Sequence, residues 1–198
     1  MTTRHRGDRR REILEALAHQ LETSPGERMT TAGLAASLDI SEAALYRHFA
    51  SKAQMYEGLL EFAEESVFER VNRILEEERG TLGRIDKMVT LVLLFAERNP
   101  GITRLLIGDA LVGETARLRD RVEQFFDRLE THFRQVLREG EISQSQEGRV
   151  AVPAVAELLV NLLAGKMQHY VRSGFKRKPS DNWEVQWRRI CAALINTG

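Results

Sequence analysis

Residues 30–52 place two short apolar-faced segments on either side of a two-residue interruption and close on an aromatic, basic, hydroxyl-rich edge. Thr30 or Thr31 suits the start of a first helix, because a threonine hydroxyl accepts a bond from a backbone N–H that lacks a helical partner. That helix would bury Leu34, Ala35 and Leu38. Asp39 and Ile40 make the turn. Ser41 caps a second helix of only about two turns, with Ala44 and Leu45 inward and the small Glu42-Ala43 side leaving its backbone free to approach a groove. Tyr46, Arg47 and His48 follow at its open end. Ser51 and Gln54 have capping-box spacing for the next helix, which puts Lys52 at a helix start within reach of a phosphate. This is the pattern of a DNA-reading helix-turn-helix, although the same residues also suit ordinary three-helix packing.

The flanks favour DNA. Arg4, Arg6, Arg9, Arg10 and Arg11, opposed nearby only by Asp8 and Glu12, form a basic arm running into a helix with Ile13, Leu14, Leu17, Ala18 and Leu21 apolar. Such an arm suits phosphates or a minor groove; it also suits a solvated terminus, but here it abuts the reading head. The formal net charge of the 198-residue chain is zero. The distribution matters more, because Glu57, Glu61, Glu64, Glu65, Glu69, Glu76, Glu77 and Glu78 make the following segment acidic, and segregated charge can bind DNA where total charge cannot.

Helical spacing continues to the end. Met55, Leu59, Phe62, Val67, Val71 and Ile74 share one long helix ending near Arg79-Gly80, and a second runs over 82–98 with apolar residues around most of its circumference, as in a central helix. Asn99-Pro100-Gly101 stops it. A short helix over 102–107 and a long one from Leu118 to Leu137, closed by Gly140, precede the polar loop 141–148. The last two helices, 152–172 and 183–195, flank a basic loop over 174–179, with Asp181 and Glu184 as a capping box for the second. Their broad apolar faces, including Leu158, Leu162, Met167, Trp183, Trp187 and Ile190, suit a symmetric four-helix dimer interface or the closing of a monomer core.

The length suffices for one small and one mid-sized domain without covalent staples, and the lone Cys191 cannot form an internal disulfide. Without a charged-then-apolar leader or a bilayer-length apolar run, a cytoplasmic chain is expected. His5, His19, His48, His132 and His169 are scattered singly, and neither metal-ligand spacing, a phosphate-cradling glycine loop nor a nucleophile elbow occurs, so no catalytic residue, metal or cofactor is expected.

Residues 41–52, with the signature Leu-Tyr-x-His-Phe-x-x-Lys over 45–52, resemble the N-terminal domain of TetR-type regulators. The resemblance implies an all-α chain with an N-terminal three-helix helix-turn-helix domain, 1–52 with its basic arm, and a larger C-terminal helical dimerisation and partner-binding domain, 53–198. Membership alone implies a transcriptional repressor released from DNA by a small-molecule ligand. The blocks Arg10-Arg-Glu-Ile-Leu14, Glu97-Arg-Asn-Pro-Gly101, Gln135-Val-Leu-Arg-Glu139 and Val171-Arg-Ser-x-Phe-Lys176 are similar to a narrower branch, the nucleoid occlusion factors. That likeness implies a homodimer bound at palindromic double-stranded DNA sites on the nucleoid, which captures the C-terminal tail of the division protein FtsZ and antagonises its polymers. For DNA it points to Arg9, Arg10, Thr30, Thr31, Ser41, Ala43, Ala44, Tyr46, Arg47, His48 and Lys52. For the tail it points to Phe62, Arg70, Leu91, Arg98 and Asn99, with the apolar pair as groove floor and the arginines as clamps. The near-hydrocarbon core expected in the larger domain favours a protein partner over a polar effector.

Overall fold

The computed structural model describes residues 6–24, 29–140 and 152–195. They form nine α-helices and one 3-10 turn: α1 (Arg6–Thr23), α2 (Thr31–Ser37), α3 (Glu42–Tyr46), α4 (Lys52–Glu77), α5 (Thr81–Arg98), α6 (Pro100–Leu106), the 3-10 turn (Asp109–Leu111), α7 (Ala116–Glu139), α8 (Val152–Arg172) and α9 (Trp183–Ile195). No strand occurs among the described residues. The all-α expectation holds, while the loop expected over 141–148 lies outside the described residues.

Chain contacts divide the molecule into two compact units, Met1–Glu64 with Asn99–Val122 and Glu65–Arg98 with Glu123–Gly198. The division expected at 52/53 falls inside the first unit. That unit is larger than a reading head because α6 packs closely on α1. A Cβ added to Gly101 would lie 2.0 Å from the Ala18 carbonyl oxygen, so only glycine admits this approach. Three residues on, Arg104 is 2% exposed. Its Nη1 donates to the carbonyls of Leu21 (2.7 Å) and Ser24 (2.9 Å), and its Nε to Asp109 Oδ2 at 2.6 Å. The C-terminal carbonyls of α1, which have no partner within their own helix, are thus met by a cation on the end of the helix where the dipole favours one. Ile13, Leu17 and Leu21 of α1, Leu34 of α2, Leu45 of α3, Phe49, Met55 and Leu59 belong to the buried apolar interior of this unit.

In the second unit α5 packs against α8 and α9. It buries Ile85, Met88, Val89, Val92, Leu93, Phe95 and Ala96, and its remaining leucines, Leu82, Leu91 and Leu94, are half-buried, as its apolar circumference requires. Phe68 of α4 and Phe125 of α7 meet with ring centroids 5.3 Å apart, and Arg128 lies over the Phe68 ring at 3.9 Å.

Three of the residues assigned to a dimer surface belong instead to this interior. Met167 is 0% exposed, and Trp183 and Trp187 are buried with their rings stacked at 5.5 Å. The indole Nε1 of Trp183 donates to Asp86 Oδ1 at 2.8 Å, a bond that satisfies the only polar atom of its side chain. Asp181 also departs from expectation. Its carboxylate accepts from the Lys178 N–H at 3.1 Å, so it closes the preceding turn and does not cap α9, while Glu184 faces solvent beside Arg188. Left-handed Asn182 (φ 60°) intervenes between Asp181 and α9 and breaks the box geometry.

Replacing Arg104 with methionine keeps most of the volume but strands the buried Leu21 carbonyl, the partly buried Ser24 carbonyl and one carboxylate. Thermal and denaturant unfolding of Arg104→Met should show a loss of roughly 2–4 kcal/mol; a loss below about 0.5 kcal/mol, the surface-substitution range, would show that α1 is closed without it.

Candidate nucleic-acid interface and partner surface

The two short helices of the reading head form as their caps dictate. Thr30 Oγ1 accepts from the Gly33 N–H at 3.2 Å and Ser41 Oγ from the Ala44 N–H at 3.1 Å. A hydroxyl that accepts in a cap keeps its own O–H to donate, so both side chains retain a proton for a phosphate oxygen. Between the helices Asp39 takes a left-handed conformation (φ 52°), which aspartate tolerates better than most residues, and the Ile40 N–H returns to the Ala35 carbonyl at 3.1 Å. Ser51 Oγ caps α4 through the Gln54 N–H at 3.1 Å, but Gln54 Oε1 reaches back to the Ala50 N–H at 2.9 Å, one residue beyond the capping-box partner.

Of the residues expected to read DNA, Thr30, Ser41, Ala43, Tyr46 and Arg47 are exposed, Thr31, Ala44 and His48 are half-buried, and Leu45 between them is buried. Thr31 Oγ1 donates to Glu42 Oε2 at 2.7 Å and stands 3.4 Å from Tyr46 Oη, so the start of α2 and both ends of α3 share one hydroxyl-lined surface. Arg47 makes no ion pair among the described residues and is the open cation of this surface.

The remaining cations are engaged differently from expectation. Arg9, Arg10 and Arg11 are not part of an arm; α1 already begins at Arg6, and Arg9–Glu12 (2.6 Å) and Arg11–Glu15 (3.5 Å) are pairs at helical spacing. Arg10 stacks over the Phe49 ring at 4.1 Å while its Nη1 donates to the His48 carbonyl beyond the end of α3, so it braces the reading head. Arg4 lies outside the described residues. Lys52 is not open to a phosphate as it stands. Its ammonium lies 2.7 Å from Glu114 Oε1 and 5.3 Å from the centre of the Tyr56 ring. Sequence reading missed Glu114 because it lies on the turn after Gly113, far along the chain from Lys52, with no periodic relation to it.

The acidic stretch of α4 is also partly answered within the first unit. Arg117 pairs with Glu57 at 3.0 Å, and Arg121 grips both carboxylate oxygens of Glu64 at 3.0 and 2.9 Å. That two-bond geometry holds the Arg121 guanidinium above its ordinary pKa, chiefly through the hydrogen bonds to Glu64.

The residues implied for a protein partner divide between the units, Phe62 and Asn99 in the first and Arg70, Leu91 and Arg98 in the second. Phe62 is 47% exposed, unusual for so large an apolar side chain; Arg70 and Arg98 are exposed, Leu91 and Asn99 half-buried. The residue before Arg98 is firmly fixed. Glu97 Oε2 accepts from Ser180 Oγ at 2.6 Å, Oε1 lies 2.9 Å from Lys178 Nζ, and its carbonyl accepts from Tyr170 Oη at 3.1 Å. The Ser180 bond and the Lys178 ammonium hold the Glu97 carboxyl below its ordinary pKa.

On α8 and α9 the apolar side chains left accessible include Leu158 (56% exposed), Val185 (53%) and the half-buried Leu162 and Ile190. The last three line an open groove of about 810 Å³ rimmed by Lys166, Asp181 and Arg189. Among the described residues no group of three histidine, cysteine, aspartate or glutamate side chains converges to hold a metal ion, and no helix is long and apolar enough to cross a membrane.

A helix-turn-helix followed by a bundle of longer helices is the architecture of the TetR class, and comparison bears this out. Residues 13–59 match the model for bacterial regulatory proteins of the tetR family, and residues 79–194 the tetracyclin repressor-like C-terminal domain of SlmA type. The fold superposes on the MbdR regulator of Azoarcus sp. CIB with a TM-score of 0.76 at 16% identity, covering 95% of this chain and 97% of that one. Over 190 residues, 96% of both chains, the sequence is 56% identical to the nucleoid occlusion factor SlmA of Marinomonas sp., and over 189 residues, again 96% of both, 51% identical to that of Idiomarina loihiensis. The chain belongs to the SlmA family of TetR-type helix-turn-helix proteins.

Two outcomes are expected. In salt-dependent DNA titrations Arg47→Ala should bind more weakly and with a log–log salt slope shallower by about one, whereas Glu114→Gln, by freeing Lys52, should bind more tightly with a steeper slope; unchanged slopes would remove both cations from the phosphate contacts. A depressed carboxyl pKa stabilises the fold fully above the ordinary carboxylate value of about 4.3 and ceases to do so as pH falls through the lower folded value. Acid unfolding of Glu97→Gln should therefore lose less stability than the native chain over roughly pH 5 to 3, and parallel curves would show that the Ser180 and Lys178 contacts carry no linkage.

Proposed function

We propose that this chain is a nucleoid occlusion factor that acts as a DNA-bound homodimer, captures the C-terminal tail of FtsZ and antagonises FtsZ polymers, so that division is blocked over DNA. The observation that carries the reading is identity above one half with a SlmA protein along 96% of the chain, in a sequence whose reading-head edge is exposed and hydroxyl-rich. Thr30, Ser41, Tyr46 and Arg47 grip phosphates in this proposal, and Ala43, small and exposed, admits the backbone to the groove. Arg9 and Arg10 act through the helix and brace they form. Lys52 joins when it leaves Glu114.

The second copy docks on α8 and α9 through Leu158, Leu162, Val185 and Ile190, an apolar centre with the charged rim that a two-fold interface uses. For the tail, the open guanidinium groups of Arg70 and Arg98 in the second unit suit acidic side chains of a peptide, and the exposed Phe62 of the first unit suits apolar ones. Leu91 and Asn99 complete that set. The fixed Glu97 keeps the end of α5, and with it Arg98, in one position.

Fluorescence anisotropy of a labelled FtsZ C-terminal tail peptide, with and without a DNA site, tests the proposal. Saturable binding is expected, weakened about tenfold or more in Arg70→Ala and in Arg98→Ala, a loss of about 1.4 kcal/mol each. Absence of binding in every condition would return the chain to the ligand-released repressors.

A further inference from the structure

The end of α8 and the loop that follows it carry more positive charge than the architecture uses. Arg172, Lys176, Arg177 and Lys178 fall within seven consecutive residues. Lys178 is taken by Glu97 at 2.9 Å. Arg172, Lys176 and Arg177 pair with no carboxylate among the described residues. Together with His169 and Ser173 they line an open depression of about 370 Å³ whose wall contains no acidic side chain. Arg177 Nη1 lies 3.0 Å from His169 Nε2; the guanidinium can only donate, so this ring nitrogen accepts.

The backbone holding these cations is strained and tied down. Gly174 and Phe175 are consecutive left-handed residues, with φ of 62° and 63°. A phenylalanine there is strained and persists only where its surroundings determine it. Those surroundings are visible: the Phe175 N–H donates to the Tyr170 carbonyl at 3.0 Å and its ring meets the Tyr170 ring at 5.2 Å. Ser173 Oγ accepts from the N–H groups of Lys176 (3.1 Å) and Arg177 (3.0 Å) while donating to the Tyr170 carbonyl at 2.8 Å. Lys166 Nζ holds the far side of the loop through the carbonyls of Pro179 (3.0 Å) and Asp181 (3.1 Å). Three like charges are thus kept together by a rigid turn that supplies no counter-charge, and their mutual repulsion is relieved when an anion enters.

We propose that this depression is a binding site for a phosphate-bearing anion, with Arg172, Lys176 and Arg177 as its cationic ligands. Two forked guanidinium groups and one ammonium offer many donors to a compact centre of several oxygens, the geometry that phosphate and pyrophosphate groups present. The site lies in the second unit, apart in sequence from the DNA-reading residues, and is open enough for the rest of a larger molecule to project outward.

The test uses the full-length chain without DNA. Calorimetric titration with sodium pyrophosphate at constant ionic strength should give saturable binding, weakened about tenfold or more in Arg172→Ala/Lys176→Ala and kept within about threefold in Arg177→Lys, which conserves the charge. Arg47→Ala should bind as the native chain does, and a loss there would move the anion to the reading head and overturn the proposal. Co-sedimentation with phosphatidylcholine vesicles containing phosphatidylglycerol separates the two sources of the group. Vesicle binding that pyrophosphate displaces and the double variant abolishes assigns the site to a lipid headgroup; pyrophosphate binding without vesicle binding assigns it to a soluble phosphate. Binding that is absent, or that is the same in the double variant, overturns it.

Discussion

The first unit depends on the approach of α6 to α1. A missing side chain at Gly101 lets the two backbones touch, and Arg104 then closes the last turn of α1 with hydrogen bonds to Leu21 and Ser24. Burying a guanidinium is costly unless its donors are filled, and here two carbonyls and the Asp109 carboxylate fill three of them. The consequence is architectural. Residues 99–122 become part of the same compact unit as the DNA-reading helices, so the reading head is built on a base that comes from the middle of the chain.

Positive charge near the reading head serves two purposes, and geometry separates them. Arg10, over Phe49 and on the His48 carbonyl, and Arg9, on Glu12, spend their donors inside the fold. Arg47 is held by nothing comparable and faces solvent. Lys52 stands between these cases: a carboxylate in hydrogen-bond contact neutralises it, with both side chains largely sheltered, and a phosphate must outcompete Glu114 to engage it. A net charge of zero conceals this sorting, since it counts all these cations alike.

In the second unit one residue, through its carboxylate and its backbone carbonyl, organises the junction of three elements. Glu97, at the end of α5, is met by Tyr170 from α8 and by Lys178 and Ser180 from the loop before α9. The same loop is fastened at its other corner by Phe175 against Tyr170. Rigidity here comes from polar contacts between segments distant in sequence, which a reading of apolar periodicity does not register.

The helices and their ends were legible in residue order. Capping by Thr30, Ser41 and Ser51, the stop at Asn99-Pro100 and the limits of α8 and α9 follow from interactions within a few residues, which is why spacing alone locates them. Phe62 could be placed on a helix from its sequence, but its exposure could not, because the pattern that marks a core position is the same whether or not a neighbour arrives to cover it. Met167, Trp183 and Trp187 show the converse: an apolar stripe does not say whether its own chain or another covers it, and here α5 and Asp86 had already done so. An arginine run likewise says nothing of its partners. The sequence by itself determined the class of fold and the reading-head motif, since both rest on local periodicity and caps. Only the tertiary structure decided which cations stay open, which aromatics are core, and where unpaired charge collects at Arg172, Lys176 and Arg177, because burial and ion pairing depend on residues that meet in space after long intervals of chain.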